Sequence, residues 1–122
     1  MAKRVLIVDD EPNIVTSLEF LMEQAGYETR VAANGQEALN LAMSFRPDLV
    51  LLDIMVPVKS GYEVCQRLKS EPATRDIRIV MVSAKGRDVE VSKALELGAD
   101  AYITKPFSTR ELVAKVQEML GT

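Results

Sequence analysis

The run Leu49-Val50-Leu51-Leu52 constrains this chain more than any other stretch. It is short, wholly aliphatic, and ends at Asp53, with Pro57 close behind. Such a run reads as a strand buried on both faces of a parallel sheet. A half-exposed strand would alternate apolar and polar residues instead. Asp53 falls where the strand leaves the core. In open α/β sheets, ligands and chemistry collect just beyond the carboxyl ends of the strands. On this stretch alone, an aspartate with a chemical role and one that only caps a turn are equally good readings.

The same punctuation recurs along the chain. Val5-Leu6-Ile7-Val8 runs into Asp9-Asp10-Glu11-Pro12, a buried strand, a loop and a helix with proline in its first turn. Ile14, Leu18, Leu21, Met22 and Ala25 follow at helical spacing, and Gly26 stops that helix. Tyr27 to Ala32 reads as a short strand. Asn34-Gly35-Gln36-Glu37 is a capped helix start, with Ala38, Leu41, Ala42 and Phe45 on one face. Ser60-Gly61-Tyr62-Glu63 and Ser108-Thr109-Arg110-Glu111 are capping boxes that open two more helices. The first buries Val64, Leu68 and Cys65; the second turns Leu112, Val116, Met119 and Leu120 inward. Between them lie a strand over Ile77 to Val82, a helix over about Asp88 to Leu97 ended by Gly98, and a strand Ala101-Tyr102-Ile103-Thr104.

Five strands alternating with five helices through short loops imply parallel strands and right-handed crossovers. Strands this apolar need helices on both faces. The expected fold is therefore α/β: a doubly wound three-layer sandwich with a five-stranded parallel sheet in the order 2-1-3-4-5, flavodoxin-like. Its 122 residues make one ordinary domain, and nearly half are apolar, enough for a core. The net charge of −3 gives no global basic surface, so direct nucleic-acid binding is not expected. The absence of histidine excludes His-based metal sites and His general bases. One cysteine, Cys65, excludes an internal disulfide and fits a reducing, cytoplasmic setting. Only four apolar residues follow the N-terminal Lys3-Arg4, too few for a signal peptide, and no run is long enough for a membrane span.

In the order 2-1-3-4-5 the first and third strands are neighbours. Asp9, Asp10 and Asp53 then meet at one sheet end. At ~4 Å a like-charged pair costs about 1 kcal/mol in water and ~4 kcal/mol at an effective dielectric of 20. Nothing in the core requires that cost, and a hard cation such as Mg²⁺ would relieve it; a solvated acidic loop is the plain alternative. Ser83 ends the fourth strand and Lys105 follows the fifth, which puts a hydroxyl and an ammonium at the rim of the acid pocket. That set suits a group bearing negative oxygens. The tight turn expected at Lys105-Pro106 favours a cis bond there.

Val8-Asp9-Asp10, Asp53 with Pro57 and Gly61, Ser83-Ala84, and Lys105-Pro106-Phe107 together resemble the receiver domain of two-component response regulators, the CheY-like fold. The resemblance spans residues 1–122 as a single domain. It implies that Asp53 accepts a phosphoryl group from a sensor histidine kinase or phosphotransfer protein. It implies Mg²⁺ held by Asp10, by Asp9, by Asp53 and by the backbone carbonyl of Met55. Ser83 and Lys105 match the groups that hold the phosphoryl oxygens, and Tyr102 matches the aromatic that turns inward behind Ser83. Phosphorylation would thereby remodel the face made by helix 4, strand 5 and helix 5. The kinase is expected on helix 1 and the loops around Asp53.

The last third is most similar to receivers of winged-helix transcription regulators, which form homodimers through the helix 4–strand 5–helix 5 face by charge pairs. Asp100, Arg110, Glu111 and Lys115 offer such pairs, whereas Val91 and Ala101 stand where a basic and an acidic residue are usual. Two other positions, Met55 and Lys85, lie two residues after Asp53 and Ser83; Met55 is expected to obstruct an attacking water and slow loss of the phosphoryl group.

Other functions share some of these parts. A haloacid dehalogenase-like phosphatase would want a second acid two residues after the nucleophile, where this chain has Met55. A flavodoxin-type module would want a loop rich in Ser, Thr and Gly after the first strand, where this chain has three acids. An inert receiver that only binds partners would have no need of the acids together with Ser83 and Lys105.

Overall fold

The computed structural model describes residues 2–84 and 88–121, with Asp88 described in its backbone only. Lys85 therefore lies outside the described residues. Ten elements alternate without exception: β1 (Arg4–Val8), α1 (Pro12–Gln24), β2 (Glu28–Ala32), α2 (Gly35–Ser44), β3 (Leu49–Leu52), α3 (Gly61–Ser70), β4 (Arg78–Ser83), α4 (Asp88–Glu96), β5 (Ala101–Thr104) and α5 (Thr109–Leu120). The strands form one parallel sheet in the order β2-β1-β3-β4-β5. Expected and observed elements differ only at ends. β2 begins at Glu28, β4 runs one residue later at each end, and α4 closes at Glu96.

The apolar runs of the inner strands follow from their position. Leu6, Val8, Val50, Leu52, Ile79 and Met81 face one side, where they pack on Ala38 and Ala42 of α2, Val64, Cys65 and Leu68 of α3, and Ala94 of α4. Val5, Ile7, Leu49, Leu51, Val80 and Val82 face the other, against Leu18 and Met22 of α1 and Leu112 and Val116 of α5. Alternate residues of a strand point to opposite faces, so a strand covered on both must be apolar at every position. The outer strands relax this rule: β2 alternates exposed and inward residues.

Local signals set the helix ends. The side chains of Asn34, Ser60 and Ser108 each accept a hydrogen bond from the backbone N–H three residues on, satisfying a donor that a helix start leaves open. Gly26, Gly98 and Gly121 take the left-handed conformation that closes a helix. Among the described residues, no helix is long and apolar enough to cross a membrane.

Candidate phosphoacceptor site

The parallel register places the acids. Val8 pairs with Leu52, and the ladder continues one step further: Asp53 N donates to Val8 O at 3.0 Å, and Asp9 N donates to Ala32 O at 3.1 Å. Asp9 and Asp53 thus stand side by side at the carboxyl edge of the sheet. Both are buried, at 2% and 5% exposure, while Asp10 is exposed. Carboxylate oxygens of Asp9, Asp10 and Asp53 all lie within 4.8 Å of one another.

Each buried carboxylate divides its two oxygens between two tasks. Asp53 Oδ1 accepts from Met55 N at 3.2 Å, and Asp9 Oδ1 accepts from Glu11 N at 3.0 Å. These are bonds to the chain's own turn, which hold the rotamer. The other oxygens face Lys105, whose Nζ lies 2.8 Å from Asp9 Oδ2 and 3.2 Å from Asp53 Oδ2. Capping a turn and facing the site are therefore complementary roles of one aspartate.

Lys105 sits deeper than the rim position expected of it. Its side chain is only 10% exposed, and it bridges the two buried acids. The backbone explains the placement: β5 pairs Thr104 with Ser83, and Lys105 N donates to Ser83 O at 2.9 Å. The bond from Lys105 to Pro106 is cis, as expected. Two buried carboxylates then supply the attraction that draws the ammonium in. Burial alone would lower the Lys105 pKa, but the hydrogen bond to Asp9 and the charges of Asp53 and Asp9 outweigh it and raise it. Burial pushes Asp9 up, with the Asp53 charge adding to the rise, although Lys105 and the Glu11 N–H work the other way. A private ion pair would lower its acid and raise its base. Here one ammonium serves several carboxylates, so the firm direction is that of Lys105, which stays charged.

Glu11 is a site neighbour that the sequence reading passed over. Its Oε1 approaches Lys105 Nζ at 3.5 Å from the exposed side. The available signal was a third acid directly after Asp9-Asp10.

Ser83 is buried at the end of β4. The Tyr102 hydroxyl on β5 is buried too, and forms no hydrogen bond of good geometry among the described residues. Burial raises the Tyr102 pKa, Tyr62, Glu90 and Asp53 add to the rise, and the nearby Ser83 hydroxyl lowers it. Tyr102 thus points inward behind Ser83. Asp100, one of the residues offered for a dimer contact, is engaged within the chain by Lys69 at 3.0 Å and Arg78 at 3.5 Å. Met55 projects its side chain into solvent at 63% exposure.

This arrangement has close counterparts. The profile of the response regulator receiver domain matches residues 5–117. The chain belongs to the receiver domain family of response regulators. A structure described as that of a response regulator from Chloroflexus aurantiacus is similar over 100% of both chains, with 36% identity and a TM-score of 0.94. The receiver domain of a signal transduction histidine kinase from Syntrophus aciditrophicus shares 35% identity over 98% of this chain and 91% of that one, with a TM-score of 0.91. The receiver of a sensor histidine kinase from Pseudomonas aeruginosa, solved with a magnesium ion coordinated in its active-site cleft, shares 27% identity over 100% of both chains, with a TM-score of 0.91. As a receiver, the chain is a regulatory domain of two-component signalling, a phosphoacceptor by family.

Proposed function

We propose that this receiver takes a phosphoryl group on Asp53 from a phosphohistidine of a sensor histidine kinase or phosphotransfer protein, and that Mg²⁺ is its cofactor. The observation that carries the reading is that buried Asp53 and Asp9 share one ammonium while a carboxylate oxygen of Asp10 lies within 4.8 Å of theirs. Oxygen donors of this hardness suit Mg²⁺, which is content with a few carboxylates and keeps several waters. Asp9, Asp10, Asp53 and the Met55 carbonyl are the groups to hold it. When bound, the ion neutralises charge on the carboxylates and on the incoming phosphoryl oxygens.

Asp53 Oδ1 is held by the Met55 N–H, so Oδ2 is the nucleophile. It forms the new O–P bond as the P–N bond to the donor imidazole breaks, and the bonding electrons remain on that nitrogen. Lys105 exchanges its contact with Asp53 for a phosphoryl oxygen, and the Ser83 hydroxyl donates to another. Positioning and charge compensation supply nearly all that such a transfer needs. The only chemistry is the receiver's own phosphorylation and the later hydrolysis of the acyl phosphate. Tyr102 and Ser83 form the switch, and the α4–β5–α5 face is the output surface, including any homodimer contact.

The test is intact-protein mass after incubation with acetyl phosphate and Mg²⁺. Wild type gains one phosphoryl group only with Mg²⁺, and Asp53→Asn gains none. A folded wild-type protein that gains nothing sinks the reading. Replacing Met55 with Asn speeds loss of the group; an unchanged rate removes Met55 as a barrier to water.

A further inference from the structure

The hold on α4 differs between its body and the turn that follows its C-terminal end. That turn is tied down. The Cys65 thiol meets Leu97 O at 3.7 Å, and Lys69 Nζ donates to Ile77 O at 2.8 Å and to Asp100 Oδ2 at 3.0 Å. Asp100 Oδ2 also accepts from Ile79 N at 2.8 Å, which fixes the α4–β5 turn to the sheet. Along the body of the helix, from Glu90 to Lys93, the described contacts with α3 run through Tyr62. Its hydroxyl donates to Glu90 O at 3.5 Å, a long bond, and Lys93 Nζ stands 4.4 Å from its ring centroid. Among the described side chains of α4, Ala94 alone is fully buried, so the helix has little apolar anchorage of its own.

Tyr62 and Tyr102 pack against the same core cluster, the one that includes Met81 and Ala94. The Tyr102 hydroxyl lies buried there without a well-formed hydrogen bond among the described residues. A buried phenol is seldom left in that state, and each such group calls for an explanation. Its inward position therefore depends on the neighbouring Ser83 hydroxyl and on what covers the ring. The cover is α4, and Tyr62 is what fastens α4 at that level.

We propose that Tyr62 is a positioning residue that latches α4 over Tyr102, so that this contact sets how readily Tyr102 leaves its buried place and α4 tilts about its tied C-terminal end. The Ser83 hydroxyl is the near neighbour of the Tyr102 hydroxyl, and a modest latch covers the ring. Two nearly balanced states are what a modest input can shift. The use of this latch in signalling rests on the receiver reading above, but its existence does not.

The experiment uses unphosphorylated protein labelled with 3-fluorotyrosine. The three tyrosines give three fluorine signals, assigned by single Tyr→Phe changes. Amide hydrogen exchange is followed over residues 89–96 and 109–120. Lys93 is exposed, so Lys93→Gln leaves the fold intact while removing the cation. We expect it to speed α4 exchange by about two- to fivefold, the worth of an exposed cation–π contact. Exchange in α5 stays constant, and the Tyr102 signal moves toward its solvent-exposed position. Tyr62→Phe, which loses only the long hydrogen bond, shifts both readouts less and in the same direction. Unchanged α4 exchange and Tyr102 signals in both variants overturn the proposal, as does equal loosening of α5. A parallel treatment with acetyl phosphate separates the two ideas. No phosphoryl uptake by wild type defeats the receiver reading and leaves the unphosphorylated comparison to decide the latch. Uptake that moves Tyr102 equally in wild type and both variants defeats the latch and leaves the receiver reading standing.

Discussion

Helices α3 and α4 lie on the same side of the sheet and are held in opposite ways. α3 starts at a Ser60 cap, buries Val64, Cys65 and Leu68, and presses Gly61 against the backbone of the strand end that carries Asp53. α4 buries Ala94, keeps Glu90 and Val91 half-buried, and exposes Val89 and Leu95. The difference fits the function proposed above, with Asp53 as nucleophile and α4 as the moving element. Group transfer loses rate steeply when reacting atoms are misplaced by an ångström, so the nucleophile's surroundings must not move. A signal needs an element whose alternative position lies within a few kcal/mol, which means few buried apolar contacts.

The sharpest way to break the comparison is at Gly61. A Cβ there would lie 2.7 Å from Ile54 Cα and closer still to the Asp53 carbonyl oxygen. Both are backbone atoms that cannot step aside. Gly61→Ala should cost about 4 kcal/mol or more in urea unfolding, beyond the usual range for overpacking, and abolish phosphoryl uptake. A loss below ~1 kcal/mol would mean that α3 is no better fixed than α4.

The seam between the two helices should come apart in alkali. Burial pushes the Cys65 thiol from 9.0 up to about 11. Its proton is held more tightly in the fold than in the unfolded chain, so this stabilisation is complete below pH ~9. It is then lost as pH rises through the folded pKa, by roughly 3 kcal/mol in all. Burial-raised Tyr62 and Tyr102 add to the decline at still higher pH. Chemical denaturation between pH 8 and pH 11 measures it, and Cys65→Ala should flatten the curve.

Asp100 tests the tied end of α4. Asp100→Ala leaves Ile79 N without its acceptor and Lys69 without its carboxylate, at a cost of about 2 kcal/mol. Exchange over the C-terminal turn of α4 should rise more than over its first turn. An even rise along the helix would deny that this end is the pivot.

The smallest effect belongs to the loop before α3. Lys59 N donates to Pro57 O at 2.9 Å, closing a three-residue turn on Val58 at φ +71°. Such a turn is rare and strained, and a β-branched residue suits it least. Val58 is 76% exposed and loses no packing on replacement. Val58→Gly should stabilise the protein by about 1 kcal/mol net of the added freedom of the unfolded chain, seen as a raised denaturation midpoint.

Much of this was legible in advance, for reasons visible at particular residues. Leu49 to Leu52 could only be a strand covered on both faces, because no half-exposed strand tolerates four aliphatic residues in a row. The Asn34, Ser60 and Ser108 caps carry their spacing on the surface of the sequence, and all three form. Asp9, Asp10 and Asp53 gathered as expected because strand polarity delivers every strand's carboxyl end to one edge. At Val58, by contrast, only the backbone angle reveals strain.

The sequence alone determined which residues reach the carboxyl edge of the sheet, because periodicity and turn chemistry are local and each residue carries its own share of them. The tertiary structure decided how those residues divide their bonds. Whether Lys105 stands at a rim or between two buried acids depends on a charge balance among groups 52 and 96 residues apart. Whether Tyr62 only fills a capping box or also reaches α4 depends on the position of Glu90, 28 residues later. Such contacts are settled by competition among burial, charge and packing across the whole fold, and no local pattern records the outcome.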